Sequence, residues 1–282
     1  MQIFTDPQAL AAQCRAWHAA GEDIALVPTM GYYHAGHEDL MAHARGLARR
    51  LVVSLFVNPA QFGPNEDLES YPRDAARDSA IAESRGADAL FMPEPGAMYA
   101  PDHATWVEVP QLAKGLCGAS RPIHFRGVCT VVLKLFLLTG ADVAVFGQKD
   151  WQQQAIIRRM ARDLNVPTRI VARPTTREAD GLAMSSRNVY LTPDERAVAP
   201  QIRAALLAAR DAAVAGETDA GRLKALVLAH WAERLPGGQP DYLEIVHPES
   251  LEPLAVVDGP ALMACAVRLG KARLIDNILL RS

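Results

Sequence analysis

Two histidines three residues apart, His34 and His37, close the segment Pro28-Thr29-Met30-Gly31-Tyr32-Tyr33-His34-Ala35-Gly36-His37. The segment lies between an apolar run, Ile24 to Val27, and a stretch of helical period. Side chains three apart share a helix face, and a helix start already offers backbone N–H groups and a positive dipole end to anions. Gly36, with no side chain, lets a phosphate-bearing ligand approach closely. The two imidazoles can then donate hydrogen bonds to phosphate oxygens as negative charge builds on a departing pyrophosphate. The bland alternative is a capped helix with two incidental histidines. A zinc pair is disfavoured, because the spacing is not HExxH and no Cys or His cluster nearby supplies a third ligand.

Phe146-Gly147-Gln148-Lys149-Asp150-Trp151-Gln152-Gln153 is a second place where an apolar run gives way to a helical pattern. Lys149 can neutralise triphosphate charge, Asp150 can accept from ribose hydroxyls, and Gln153, one turn beyond Lys149, can reach a polar substrate. Taken alone, the segment reads equally as a helix start with solvated charges. Arg177-Glu178-Ala179-Asp180-Gly181-Leu182-Ala183-Met184-Ser185-Ser186-Arg187-Asn188 offers two hydroxyls and a cation in one loop, suited to clamping phosphates by charge-assisted hydrogen bonds. Asn58 and Gln61, in Phe56 to Asn65, are amides able to orient a small hydroxy acid without adding charge, or else they satisfy turn backbone. Arg121 and Arg126 concentrate cations before an apolar helix and are expected to flank anionic substrates.

The elements that must position these residues follow from periodicity. Ile24 to Val27, Leu51 to Val57, Ala89 to Met92, Val143 to Phe146 and Arg169 to Ala172 read as buried parallel strands. Helices are expected at Gly36 to Arg49, Asp74 to Arg85, Gly127 to Leu138 and Asp150 to Leu164. The alternation predicts an α/β fold with a Rossmann-like doubly wound parallel sheet, where ligands sit beyond the carboxyl ends of strands. From about Thr176 the pattern changes to helices at Pro193 to Ala215 and Asp219 to Arg234, then strands at Tyr242 to Val246, Leu262 to Leu269 and Arg273 to Leu280. The expected domains are residues 1–175, binding nucleotide and substrate, and a smaller α+β lid domain of residues 176–282.

With 282 residues, half of them apolar, the chain can build a sizeable core. A net charge of −3 gives no general attraction to nucleic acid or anionic membrane, so neither is an expected partner. There is no signal-like start and no apolar run of membrane-spanning length. Four cysteines without a CxxC pair fit reduced thiols and a cytoplasmic location, and no chemistry is assigned to them.

In order and spacing, the blocks at 28–37, 56–62, 124–128 (His-Phe-Arg-Gly-Val), 147–150 and 177–188 resemble those of pantothenate synthetases. The resemblance spans 24 to about 192 and implies a fold similar to nucleotidyltransferases and class I aminoacyl-tRNA synthetases. It implies an ATP-dependent ligase that adenylates pantoate and passes the pantoyl group to β-alanine, giving pantothenate, AMP and pyrophosphate, with Mg²⁺ accompanying ATP. By position it assigns Met30, Gly31, Tyr32, Tyr33, His34, Ala35, Gly36, His37, Gly147, Gln148, Lys149, Asp150, Thr176, Met184, Ser185, Ser186 and Arg187 to ATP. His37 is the family's proton donor, and His34, Lys149, Ser185, Ser186 and Arg187 join it in catalysis. Gln61 and Gln153, with Asn58 beside them, fall to substrate, and a homodimer is implied.

Some positions depart from that pattern. Gln148 stands where glutamate is expected, Tyr32 and Tyr33 replace a smaller pair, and Arg77 precedes Asp78 where two acids are usual. Asp78 is left as the candidate metal ligand, unless water and phosphate carry the coordination. Two other readings share the motifs: a nucleotidyltransferase acting on a phosphorylated small molecule, and a silent nucleotide-binding module.

Overall fold

The computed structural model of the chain describes residues 1–64 and 66–281. Contacts divide it into two compact units, the first of 1–110, 121–148 and 156–174, the second of 111–120, 149–155 and 175–282. No helix among the described residues is long and apolar enough to cross a membrane.

The first unit carries β1 (Gln2–Phe4), α1 (Pro7–Ala19), β2 (Ile24–Thr29), α2 (Ala35–Arg45), β3 (Arg50–Leu55), α3 (Ala75–Ser84), β4 (Ala89–Phe91) and α4 (Pro95–Met98). After α5 (Cys117–Ser120), which belongs to the second unit, come α6 (His124–Thr139), β5 (Val143–Gly147), α7 (Trp151–Asp163), of which residues 151–155 also fall in the second unit, and β6 (Arg169–Arg173). The six strands form one parallel sheet in the order β1-β4-β3-β2-β5-β6. The expected doubly wound sheet is present. Its switch point lies between β2 and β5, where the strand order reverses, and the turns after Thr29 and Gly147 leave the sheet there.

Alternation along the strands explains the packing. Ala25, Val27, Leu51, Val53, Val143 and Val145 share a core cluster with Met41 and Ala44 of α2 and Ala82 of α3. α6 and α1 pack on one another and on β2, and α6 is buried along nearly its whole length because its apolar run, Val128 to Leu138, has few polar interruptions.

Besides the four-residue helices α4 and α5, two elements lie outside the expectation. β1 is only three residues long and half exposed, so no apolar run announces it, and it joins the sheet edge through β4. α1 starts on a local signal, with Pro7 in its first turn and the Asp6 carboxylate accepting from Ala9 N–H at 2.8 Å.

The second unit continues through α8 (Pro193–Val198), α9 (Gln201–Val214), α10 (Ala220–Arg234) and the antiparallel strands β7 (Gln239–Val246), β8 (Ala261–Leu269) and β9 (Ala272–Arg281), in the order β7-β8-β9. The single helix expected from Pro193 to Ala215 is two, because Pro200 has no N–H to continue the ladder. Ile202, Leu206 and Ala209 of α9 and Leu223, Val227 and Trp231 of α10 close the core with Met263, Cys265 and Val267 of β8. β8 and β9 meet through a two-residue loop at Gly270, whose φ of +54° favours glycine and where a side chain would have to displace the Glu195 carboxylate.

Candidate functional site

The turn after β2 is built to aim α2. Gly31 (φ +88°) and Tyr32 (φ +52°) are left-handed, and a Cβ on Gly31 would come within 2.9 Å of the Asp78 carboxylate. That geometry points two successive N–H groups at one side chain: Tyr32 donates to Asp78 Oδ2 at 2.5 Å and Tyr33 to Oδ1 at 2.8 Å. Asp78, on α3, is 1% exposed, and burial raises its pKa although both N–H groups and Arg77 pull the other way. Arg77 donates to the Tyr33 carbonyl at 2.9 Å and lies 5.5 Å over the Tyr32 ring. Of the four departures noted in the sequence, Tyr32, Tyr33 and Arg77 therefore form one packed group, and Gln148 stands apart at the end of β5.

His34 is the N-cap of α2. Its Nδ1 accepts from Gly36 N–H at 3.1 Å, while His37 Nδ1 accepts from His34 N–H at 3.3 Å, and the ring centroids are 4.2 Å apart. This is a capping box written in imidazoles. A neutral ring whose Nδ1 accepts carries its proton on Nε2, so the capping and the donor roles use different nitrogens of the same rings. The bland reading and the catalytic one are compatible.

Asn58 and Gln61 are buried together. Asn58 Oδ1 caps the short turn Pro59–Gln61 and accepts from the Tyr99 hydroxyl at 2.8 Å; its Nδ2 donates to Gly127 O and to Gln61 Oε1, both at 3.1 Å. The other end of the Gln61 amide lies 3.1 Å from Met30 Sδ. The structure thus brings Met30, Asn58 and Gln61 together. Gly127 is required because a Cβ there would sit 2.3 Å from the Ala60 carbonyl.

The arginines expected to flank substrate have other partners. Arg121 makes a bidentate pair with Glu66, at 2.9 and 2.5 Å, and donates to Gln61 O, which His124 Nδ1 also meets at 3.0 Å. Burial would raise the Glu66 carboxyl, but Arg121 outweighs it and the pKa falls. Arg126 lies 4.9 Å over the Trp106 ring. Asn65, at the end of this segment, is outside the described residues.

Gly147 and Gln148 end β5 in the first unit; Lys149 and Asp150 complete the turn and belong to the second. Lys149, Ser185, Leu182, Ala183, Ile275 and Asp276 line one recess of that unit. Burial holds the Lys149 ammonium below the ordinary lysine range; Asp150 and Asp276 oppose the shift, and Arg187 and Arg177 reinforce it. Gln153 is half-buried in the first turn of α7, and Asp150 is exposed.

The serine loop is held by its own backbone. Met184 N–H donates to Thr176 O at 3.0 Å, Arg177 and Ala183 form an antiparallel bridge, and Ser185 Oγ accepts from Arg187 N–H at 3.2 Å. Sequence reasoning missed Asp276 and Asn277 on β9, which fasten these pieces. Asp276 takes both terminal guanidinium nitrogens of Arg177, and Asn277 Nδ2 donates to Lys149 O at 2.9 Å. Their one local sign is a polar pair inside an apolar strand.

Residues 2–279 match the family model described as pantoate-beta-alanine ligase. The chain is similar to the pantothenate synthetase of Desulfovibrio desulfuricans, at 78% identity over 100% of both chains, and to that of Nitratidesulfovibrio vulgaris, at 61% over 99% of each. Among solved structures it resembles pantothenate synthetase from Thermus thermophilus (44% identity, TM-score 0.94, 100% of both chains). It also resembles pantoate-beta-alanine ligase from Francisella tularensis complexed with beta-gamma ATP and beta-alanine (30%, TM-score 0.81, 99% and 98%). With its doubly wound sheet, its imidazole capping box and a match over nearly its whole length, the chain belongs to the pantoate–beta-alanine ligase family.

Proposed function

We propose that this chain condenses pantoate with β-alanine, consuming ATP and yielding pantothenate, AMP and pyrophosphate through a pantoyl-adenylate. The observation that carries the reading is the His34–His37 pair, whose Nδ1 atoms are committed to backbone and whose Nε2 protons serve as donors, at the start of a helix beside the switch point of the sheet. The family membership supplies the substrates.

In the first step the pantoate carboxylate attacks the α-phosphorus of ATP and pyrophosphate leaves. His34 and His37 donate to the oxygens on which charge accumulates, with Lys149, Ser185, Ser186 and Arg187 as further cations and donors to the nucleotide. The assigned ATP residues run from Met30 to His37, Gly147 to Asp150, Thr176, and Met184 to Arg187. Gln61 and Gln153 orient pantoate, Gln61 also β-alanine, and Asn58 acts by holding the Gln61 amide. In the second step the neutral β-alanine amine attacks the acyl carbon of the mixed anhydride; the C–N bond forms, the acyl C–O bond breaks with its electrons leaving on AMP, and the nitrogen gives up one proton to solvent.

Magnesium fits as a companion of ATP rather than as a resident of the protein. Among the described residues no cluster of three His, Cys, Asp or Glu could hold it, and both Asp78 oxygens are taken by backbone N–H groups. Coordination by phosphate and water agrees with that donor set. The four cysteines are free and buried, and burial pushes Cys14 and Cys129 up to about 12, which suits inert thiols in a reducing compartment such as the cytoplasm. A homodimer belongs to the same reading, and light scattering on the purified protein tests it.

The decisive assay is exchange of labelled pyrophosphate into ATP with pantoate and without β-alanine, then pantothenate formation on adding β-alanine, followed by mass spectrometry. Pantoate-dependent exchange that yields pantothenate supports the proposal. Nucleotide binding with neither exchange nor product overturns it.

A further inference from the structure

Asp276 lies on β9, outside every segment singled out in the sequence, yet it is 4% exposed and faces the recess that Lys149 and Ser185 line. Its carboxylate binds Arg177 in bidentate fashion, at 2.8 and 2.9 Å, and accepts from Asn277 N–H at 2.7 Å. Arg177 Nη1 also donates to Gly181 O at 3.1 Å, so one ion pair fixes both ends of the turn that leads into the serine loop. Arg203 donates to Asn277 O at 3.1 Å and brings a further cation to the same strand.

The charges around the two groups are named by the same geometry. Lys149 is faced by Asp150 from its own turn, Arg187 from the serine loop, Arg177 from the bridge at the start of that loop and Asp276 from β9. Asp276 is faced by Arg177, Arg203 and the buried Cys265 thiol. Cations outnumber carboxylates here, so a single buried carboxylate decides how well the others are tolerated before a polyphosphate arrives.

The geometry points to Asp276 as a positioning residue for the nucleotide step: it anchors the 177–188 loop through Arg177 and supplies counter-charge to the cations around Lys149. The inference rests on the proposed ATP chemistry. Removing the charge is expected to loosen the loop and to leave Lys149 among guanidinium groups. The first raises the KM for ATP; the second makes the Lys149 ammonium easier to deprotonate.

The test is pantoate-dependent pyrophosphate exchange by the full chain and by Asp276→Asn, with ATP and pantoate KM values and a pH profile of kcat/KM for ATP. The expected result is an ATP KM raised about tenfold at near-constant pantoate KM, and an alkaline limb shifted down by about one pH unit, the scale of one lost charge partner. Asp276→Glu should return the limb to its wild-type position. If Asp276→Asn does not fold, Arg177→Gln combined with Asp276→Asn removes the stranded cation and keeps a neutral hydrogen bond; its ATP KM should still rise. A folded variant, single or double, whose ATP KM stays within twofold of wild type overturns the inference. A wild-type chain with no exchange would instead refute the proposed function, so the two failures are separable.

Discussion

His34 and His37 cap one another: each Nδ1 accepts a backbone N–H of the shared turn, at 3.1 and 3.3 Å, with the rings 4.2 Å apart. Stability and catalysis therefore draw on the same two side chains through different atoms. His34→Ala should lose a helix cap, about 1 kcal/mol of stability. His34→Asn should keep the cap and the melting temperature yet lose the donor, slowing pyrophosphate exchange about a hundredfold or more. Thermal unfolding and exchange rates measured on both variants check this; an active His34→Asn would remove the imidazole from the chemistry.

Lys149 should set the alkaline side of the rate profile. Its pKa lies below the ordinary lysine value because burial penalises the charge. In the unliganded chain the folded state thus holds the proton less tightly than the unfolded one. Stability then rises with pH through the window between the depressed folded pKa and the unfolded value, and the penalty is fully present below it. Activity runs the opposite way, since the ammonium is needed for phosphate. The kcat/KM limb for ATP should fall below the ordinary lysine range, and the kcat limb, reporting the ATP-bound enzyme, should lie higher. Lys149→Met should abolish that limb and reduce kcat/KM about a hundredfold.

Asp78→Asn separates a structural carboxylate from a metal ligand. The amide would turn an N–H toward a Tyr32 or Tyr33 N–H that now has an acceptor, costing about 1–3 kcal/mol. The melting temperature should fall while the Mg²⁺ concentration giving half-maximal exchange stays put. A marked rise in that concentration would return Asp78 to the metal.

Asn58→Ala and Gly127→Ala act on one contact from its two sides. The first strands the Tyr99 hydroxyl and Gln61 Oε1, and about 1–3 kcal/mol of stability should go with them. The second forces α6 away from the Pro59–Gln61 turn, at about 1–3 kcal/mol. Both should raise the pantoate KM more than that for ATP, because Gln61 is displaced. Urea unfolding with steady-state kinetics decides the matter.

Much of the site is legible in the sequence because its chemistry is local. The 28–37 and 147–150 segments each join a strand end to a helix start, and both structural events leave marks within a few residues: an apolar run, a glycine, then polar side chains at helical spacing. The serine loop is legible for the same reason. The ion pair of Arg121 is not legible, because its partner, Glu66, lies 55 residues away and nothing near Arg121 announces it.

By itself the sequence determined five of the six strands of the parallel sheet, their order along the chain and the identity of the chemical groups, since period-two and helical patterns and short motifs act over one or two turns. Only the tertiary structure decided what holds those groups in place. Asp78 meets Tyr32 across 46 residues and Asp276 meets Arg177 across 99. Each pairing exists because burial obliges a polar group to find a partner, and which partner is within reach is settled only when the chain has folded.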